Sequence, residues 1–420
     1  MKKILFYLLL FIVLIIFYII YINYTNKFAL KTEMSAITKQ EIVLYETPTT
    51  PITSITWKMH NCKYTIPENI KLVFDENNIK ENNNTSKSNI NMQIQIQIHL
   101  PCTYDKTEQE INNMDLKKNI ENKVYILHNA DQIAAKNLLW INLIAKYGLE
   151  ESLTLSPMTY ILYEINDIKR LKHDYKQNKL YILKKNIQRQ EGLKICNELD
   201  DILKHKNEYI IAQELLQDPY LINGRKINLR IYVLVVCNKD NYNVYIYNDG
   251  FMYYTKELFE VNSLEFGPNI TTGYIDRSVY KKNPLTHQDF RKYLDTNNRK
   301  LTSTSTSTLI EEKINKNTKL SDYIFNNVHE LIKKVFSAFY GNLGYGEKLY
   351  NHLSFQLFGA DVAIDKNLNA KIMEVNKGVD LNSKDKRDGA LKKGLITDIL
   401  KTINAVENDD NNKFINIYSV

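Results

Sequence analysis

Residues 354–365 read SFQLFGADVAID and residues 371–376 read KIMEVN, with the turn-like Lys366-Asn367-Leu368-Asn369 close behind the first run. Both runs have the apolar, β-branched character of strands, and such a pair separated by turn residues predicts an antiparallel hairpin. Centred between Asn367 and Leu368, the hairpin sets Asp361 directly opposite Glu374. Period two then puts Asn376 on the same face as Glu374. Two carboxylates and an amide oxygen converge there among apolar neighbours. A buried carboxylate without a partner is costly. An oxygen-only set of this kind suits Mg²⁺, which takes one or two carboxylates together with phosphate oxygens. The alternative is a hairpin whose acids face solvent.

Upstream, short strand-like runs alternate with helical ones: YILYE, LYILKKN, YIIAQELL, RIYVLVV and VYIYN. This predicts an α+β chain with a substantial sheet. MQIQIQIHL, residues 92–100, alternates with period two and predicts a strand with one apolar face. Residues 108–146 are expected to be mostly helical, and a helix is expected over Ser321–Tyr340. The Asn-rich run 77–91 and the TSTSTST tract 302–308 are too polar to pack and predict a linker and a surface loop. The tail beyond Asn408 is polar. Within LINGRKINLR, Arg225, Lys226 and Arg230 cluster, and Lys226, Asn228 and Arg230 share a face if the strand begins there. Beside an acidic hairpin they suit a polyphosphate; alone they are a solvated basic turn. Lys184 ends a strand, where a lysine is ordinarily surface.

Several chemistries are excluded by their missing motifs. There is no GxxxxGK[ST], GxSxG or HExxH, since Lys333 stands where the second histidine would be. No Asp-x-Asp pair supports a glycosyltransferase. Cys62, Cys102, Cys196 and Cys237 form no CxxC, so free thiols are expected rather than a disulfide framework or zinc site. The formal net charge of +7 comes from lysine and is compatible with an acidic partner, but no recognisable nucleic-acid module accompanies it. Ile4–Ile22 is an unbroken run of 19 apolar or aromatic residues. That is long enough for a bilayer-crossing signal anchor, so a single-pass membrane protein is expected.

Taken in order, YILKKNIQRQEGLKI, IIAQELLQDPYLINGRKINLRIYVLVV, NITTGYID, SFQLFGADVAID and IMEVN resemble the tubulin–tyrosine ligase and ligase-like family of ATP-grasp enzymes. The resemblance covers roughly residues 120–405. It follows an anchor (1–23) and a variable region (24–119), and a polar tail (406–420) comes after it. The resemblance implies two α+β lobes enclosing ATP. It further implies that Lys184 and Lys226 contact ATP phosphates, and that Gln213, Glu214, Leu215 and Leu216 form the adenine hinge. Asn228 then stands where the family has an aspartate. Arg230 would face the developing phosphate charge or a substrate carboxylate, Arg189 would close over the phosphates, and Asp361, Glu374 and Asn376 would hold Mg²⁺.

The implied activity is an ATP-dependent ligase joining a free amino acid to a carboxylate of an acceptor protein, tubulin or another protein with an acidic tail. ATP as cosubstrate would place the catalytic part in the cytosol. The chain departs from the family at Lys185, Asn228, Thr272 and Tyr253, where the family carries proline, aspartate, asparagine and arginine. An inactive nucleotide-binding scaffold is therefore the alternative, with a membrane-anchored glycosyltransferase behind it.

Overall fold

The structure, a computed structural model, describes residues 54–59, 65–82, 95–104, 106–118, 120–187, 192–239, 241–297 and 318–420. In chain order its strands are β1 (Ser54–Met59), β2 (Lys80–Glu81), β3 (Gln95–Leu100), β4 (Glu121–Val124), β5 (Thr159–Ile161), β6 (Tyr181–Lys184), β7 (Leu193–Cys196) and β8 (Ile211–Glu214). There follow β9 (Leu221–Ile222), β10 (Arg225–Asn238), β11 (Asn241–Thr255), β12 (Thr271–Thr272), β13 (Leu353–Ile364), β14 (Ala370–Asn376) and β15 (Phe414–Ser419). The class is α+β, as expected.

Two sheets carry the fold. The larger runs β12-β11-β10-β13-β4-β3-β1-β2, with β14 beside β13, β15 beside β11 and β9 beside β10. Its β1–β4 portion is parallel, and the long β10, β11 and β13 are antiparallel. The smaller is the antiparallel set β5-β8-β6-β7.

The 14 residues of β10 explain the architecture. Ile227, Leu229, Ile231, Val233 and Val235 point to one face, where they pack under the helices His287–Asn297 and Leu320–Ser337. On the other face Tyr232, Leu234 and Val236 meet the helices Glu68–Glu76 and Lys386–Thr402. At the start of the strand that second face carries Lys226, Asn228 and Arg230 instead of apolar residues. The polar end of an otherwise two-sided apolar strand therefore opens a gap in the core. The small sheet has its own core around Tyr160, Tyr181, Leu183 and Ile202, with Trp140 of the helix Lys136–Leu155 inserted into it.

Several expectations are corrected. β3 is buried on both faces, since Gln97 and His99 are as enclosed as Ile96 and Ile98. It lies between β1 and β4, and the His99 Nε2 and Asn122 Oδ1 are 2.8 Å apart. Residues 121–124 of the stretch expected to be helical form β4, pairing with β3 and β13. The polar C-terminus is ordered as β15 along Asn243–Tyr247. Cys196 and Cys237 are free and buried, but Cys102 is disulfide-bonded, against the expectation of free thiols. The single-pass membrane expectation, and the location drawn from it, are also corrected. Among the described residues no helix is long and apolar enough to cross a membrane. The run 4–22, the tract 302–308, Cys62 and Arg189 lie outside the described residues.

Candidate active site

The cleft opens where the polar start of β10 and the ends of β13 and β14 meet the small sheet. Its lining includes Lys136, Ile182, Lys184, Leu193, Leu215, Leu216, Lys226, Asn228, Ile270, Asp361, Met373 and Glu374. The cleft is open to solvent, and the space within it, that solvent included, is about 900 Å³.

Asp361 and Glu374 are paired in register across β13 and β14, and Asn376 pairs with Gly359. The route to that register differs from the simple hairpin. Near the turn Val362 pairs with Ile372 and Ile364 with Ala370, one residue away from the expected alignment. A bulge at Met373 restores it, so that Met373 and Glu374 both reach the cleft. Asn376 Nδ2 donates to Glu374 Oε1 at 3.1 Å. Burial pushes the Asp361 carboxyl up, Arg230 opposes this, and the neighbouring Glu374 adds to it, leaving a pKa of about 6. Burial also works against ionised Glu374, but Lys136, Lys184, Asn376 and Arg230 together hold it below its usual range. Two adjacent carboxylates with an amide oxygen beside them, one held back from full ionisation by burial and its neighbour's charge, form a set that a divalent cation satisfies. The donors present therefore fit Mg²⁺.

The cations converge on the same space. Lys184 is buried, and its ammonium donates to Gln213 Oε1 at 2.7 Å, while Gln213 donates to Thr159 Oγ1 at 2.9 Å. Burial draws Lys184 down to about 8, against the pull of Glu374 and Asp361 and with a further push from Lys136. Lys226 is buried too. Its ammonium donates to the Leu216 carbonyl at 2.7 Å, lies 5.3 Å from the Phe259 ring centre, and is drawn to about 8 by burial. A lysine ending a strand is thus not surface here, because its side chain turns inward to Gln213 on the neighbouring β8.

Arg230 grips Asp361 with two hydrogen bonds, Nε to Oδ1 at 2.6 Å and Nη2 to Oδ2 at 2.9 Å. In the segment expected to form the hinge, the Glu214 and Leu215 amides already donate to Met158 and Leu180 carbonyls, and the Glu214 carboxylate pairs with Lys179 at 2.5 Å. Leu215 and Leu216 line the cleft; Glu214 does not.

Lys136, Asn269, Ile270, Thr271 and Met373 were not foreseen. Lys136 opens its helix with no local motif around it, and Met373 reaches the cleft only through the bulge. The side chains Ile182, Leu193, Leu215, Ile270 and Met373 give the cleft apolar walls, and the lysines give it a cationic end. Thr272 is buried, with its hydroxyl accepting from the Tyr274 amide at 3.0 Å. Tyr253 lies across from Asn228 on β11.

The comparisons with known proteins agree with this geometry. The tubulin-tyrosine ligase family model matches residues 114–413. A probable beta-tubulin polyglutamylase of Tetrahymena thermophila is 26% identical over 283 residues, 65% of this chain and 23% of that protein. The human tubulin monoglutamylase TTLL4 is 25% identical over 276 residues, 64% of this chain and 22% of its own length. A probable tubulin polyglutamylase TTLL9 of Rattus norvegicus is 28% identical over 202 residues, 47% and 39% respectively. The chain therefore spans less than a quarter of the first two relatives. With its family model matched across most of its length, the chain belongs to the tubulin-tyrosine ligase family.

Proposed function

We propose that the chain is an ATP-dependent ligase that joins an amino acid to a carboxylate of an acceptor protein. The supporting observation is the convergence of Lys184, Lys226, Asp361 and Glu374 on one cleft between two sheets, in a chain of this family. In this reading the two sheets are the lobes of an ATP-grasp fold. The relatives' names specify glutamate as donor and tubulin as acceptor, and we carry both over as the candidate pair.

The base of ATP would lie among Ile182, Leu193, Leu215, Ile270 and Met373. Lys184 and Lys226 would hold the phosphates, with Gln213 orienting the Lys184 ammonium. Asp361, Glu374 and Asn376 would hold Mg²⁺, which supplies charge neutralisation to the polyphosphate when bound. An acceptor carboxylate oxygen attacks the terminal phosphorus, the bond to the bridging oxygen breaks, and ADP leaves. The donor's amine, as the free base, then attacks the acyl carbon. Phosphate departs, one proton is released and an amide remains. Catalysis is placement and charge stabilisation by fixed cations, with no nucleophile from the protein. Arg230 keeps Asp361 oriented. Arg189 is proposed to approach the phosphates.

Asn228, in place of the family's aspartate, supports the nucleotide-binding scaffold as the second reading. Mass spectrometry of tubulin incubated with the protein, Mg-ATP and glutamate tests the pair. Added glutamate that disappears with Glu374→Gln supports the ligase. Mg-ATP binding without transfer of any of the amino acids to tubulin supports the scaffold.

A further inference from the structure

Arg230 is held on three sides. Its guanidinium carbon lies 4.8 Å from the centre of the Tyr253 ring. Its Nε and Nη2 engage both oxygens of Asp361. It also crosses the backbone at Gly359, where an added Cβ would come within 2.9 Å of Nη1. A larger residue at that position would push the guanidinium away from β13. The Tyr253 ring is seated in turn, since a Cβ at Gly273 would come within 2.8 Å of it. The order across the strands is therefore Gly273, Tyr253, Arg230 and Asp361, ending at one of the two carboxylates of the cleft.

We propose that Tyr253 is a positioning residue: its ring, backed by the Gly273 turn, holds Arg230 in the flat two-point pose that aims Asp361 into the cleft. The inference rests on the Mg-ATP reading of that cleft. A planar cation over an aromatic face, shielded from water, is bound more tightly than one at an exposed surface. A two-point guanidinium–carboxylate pair fixes the plane of the carboxylate as well as its position. Without the ring, Arg230 keeps its charge but not its orientation, and Asp361 loses its fixed direction.

The test measures ATP binding to the full chain by calorimetry as Mg²⁺ is titrated, in the parent and in Tyr253→Phe, Tyr253→Leu and Gly273→Ala. Loss of a shielded cation–π contact predicts that Tyr253→Leu needs about tenfold more Mg²⁺ for half-maximal ATP binding, while Tyr253→Phe stays within about twofold of the parent. Gly273→Ala, which displaces the ring without removing it, should shift in the same direction as Tyr253→Leu. The proposal is overturned if Tyr253→Leu and Gly273→Ala both melt cooperatively and keep the parent's Mg²⁺ dependence. It is also overturned if Tyr253→Phe falls as far as Tyr253→Leu, since the ring would then not be the agent. A parent chain whose ATP binding ignores Mg²⁺ overturns the underlying reading and this inference together.

Discussion

If the cleft takes ATP as proposed, its two buried lysines make that binding a proton-linked event, and the linkage can be measured. Burial brings both Lys184 and Lys226 from an ordinary value of 10.5 to about 8. Holding each ammonium charged in the ligand-free cleft costs about 3 kcal/mol relative to water. A polyphosphate beside them reverses that balance and returns their pKa values toward or above the ordinary one. The bound state then holds more protons than the free state wherever the free lysines are partly deprotonated. Near pH 8 each is about half protonated, so binding one ATP should take up about one proton in all. Affinity should be flat up to about pH 7 and should weaken above about pH 8, by as much as two decades per pH unit once both free lysines are neutral. Calorimetry in two buffers of different ionisation enthalpy reads the proton uptake directly. Lys184→Met or Lys226→Met should each remove about half of it. Uptake near zero at pH 8, or uptake untouched in both variants, would refute the assignment of these lysines to the phosphates.

Other outcomes follow from the same structure. In the ligand-free protein the two lysines bind fewer protons when folded than unfolded between pH 8 and 10.5. Their contribution to stability therefore rises with pH across that window, and the urea midpoint of the Lys184→Met, Lys226→Met double variant should gain less from pH 8 to pH 10 than the parent's. Glu374→Gln should leave ATP able to dock but remove most of the Mg²⁺ dependence of its thermal stabilisation. Leu234→Ala, in the fully buried middle of β10, should cost about 2–5 kcal/mol in urea unfolding. Asp388→Ala should cost about 3–5 kcal/mol, because it leaves the buried Lys392 ammonium, now 3.0 Å from Asp388, without its counter-charge.

What was legible in the sequence was whatever a period of two could fix. The parity of β13 and β14 brought Asp361, Glu374 and Asn376 together, and the parity of β10 brought Lys226, Asn228 and Arg230 to the cleft end of one face. The bulge at Met373 was not legible, because a one-residue shift near the turn and its correction leave no mark in hydrophobic alternation. The burial of Lys184, a residue given its role by the family resemblance alone, and the presence of Lys136 in the cleft were hidden for a different reason. Both positions come from the packing of the small sheet and of the helix Lys136–Leu155 around the cleft, contacts far apart in sequence. The disulfide at Cys102 was equally a matter of tertiary proximity. Gln97 and His99 misled because alternation reports side-chain polarity, whereas the cover on a strand's second face is set by neighbours elsewhere in the chain.

The charge balance of the cleft bears on the choice between ligase and inert scaffold. Lys136, Lys184, Lys226 and Arg230 face Asp361 and Glu374, and Asn228 brings no charge where the family has an aspartate. The unliganded cleft therefore carries more cation than anion, in a setting where burial makes each uncompensated ammonium expensive. Nothing in packing the core demands this, since methionine or leucine would fill the volume of either lysine at lower cost. Groups held at a cost to stability, with pKa values displaced by burial and aimed into one cavity, are the mark of a site built for a ligand of opposite charge. The missing aspartate makes that bias stronger: the same lysines meet less negative charge from the protein and are left more for the phosphates. A polyanion-binding role is thus favoured in both readings, and the difference between them narrows to whether the second carboxylate, donor amine and acyl carbon can be brought into line. That alignment depends on Asp361 and the Arg230–Tyr253 pair behind it, so the Mg²⁺ titration of Tyr253→Leu and the transfer assay on tubulin probe the same few ångströms from two sides.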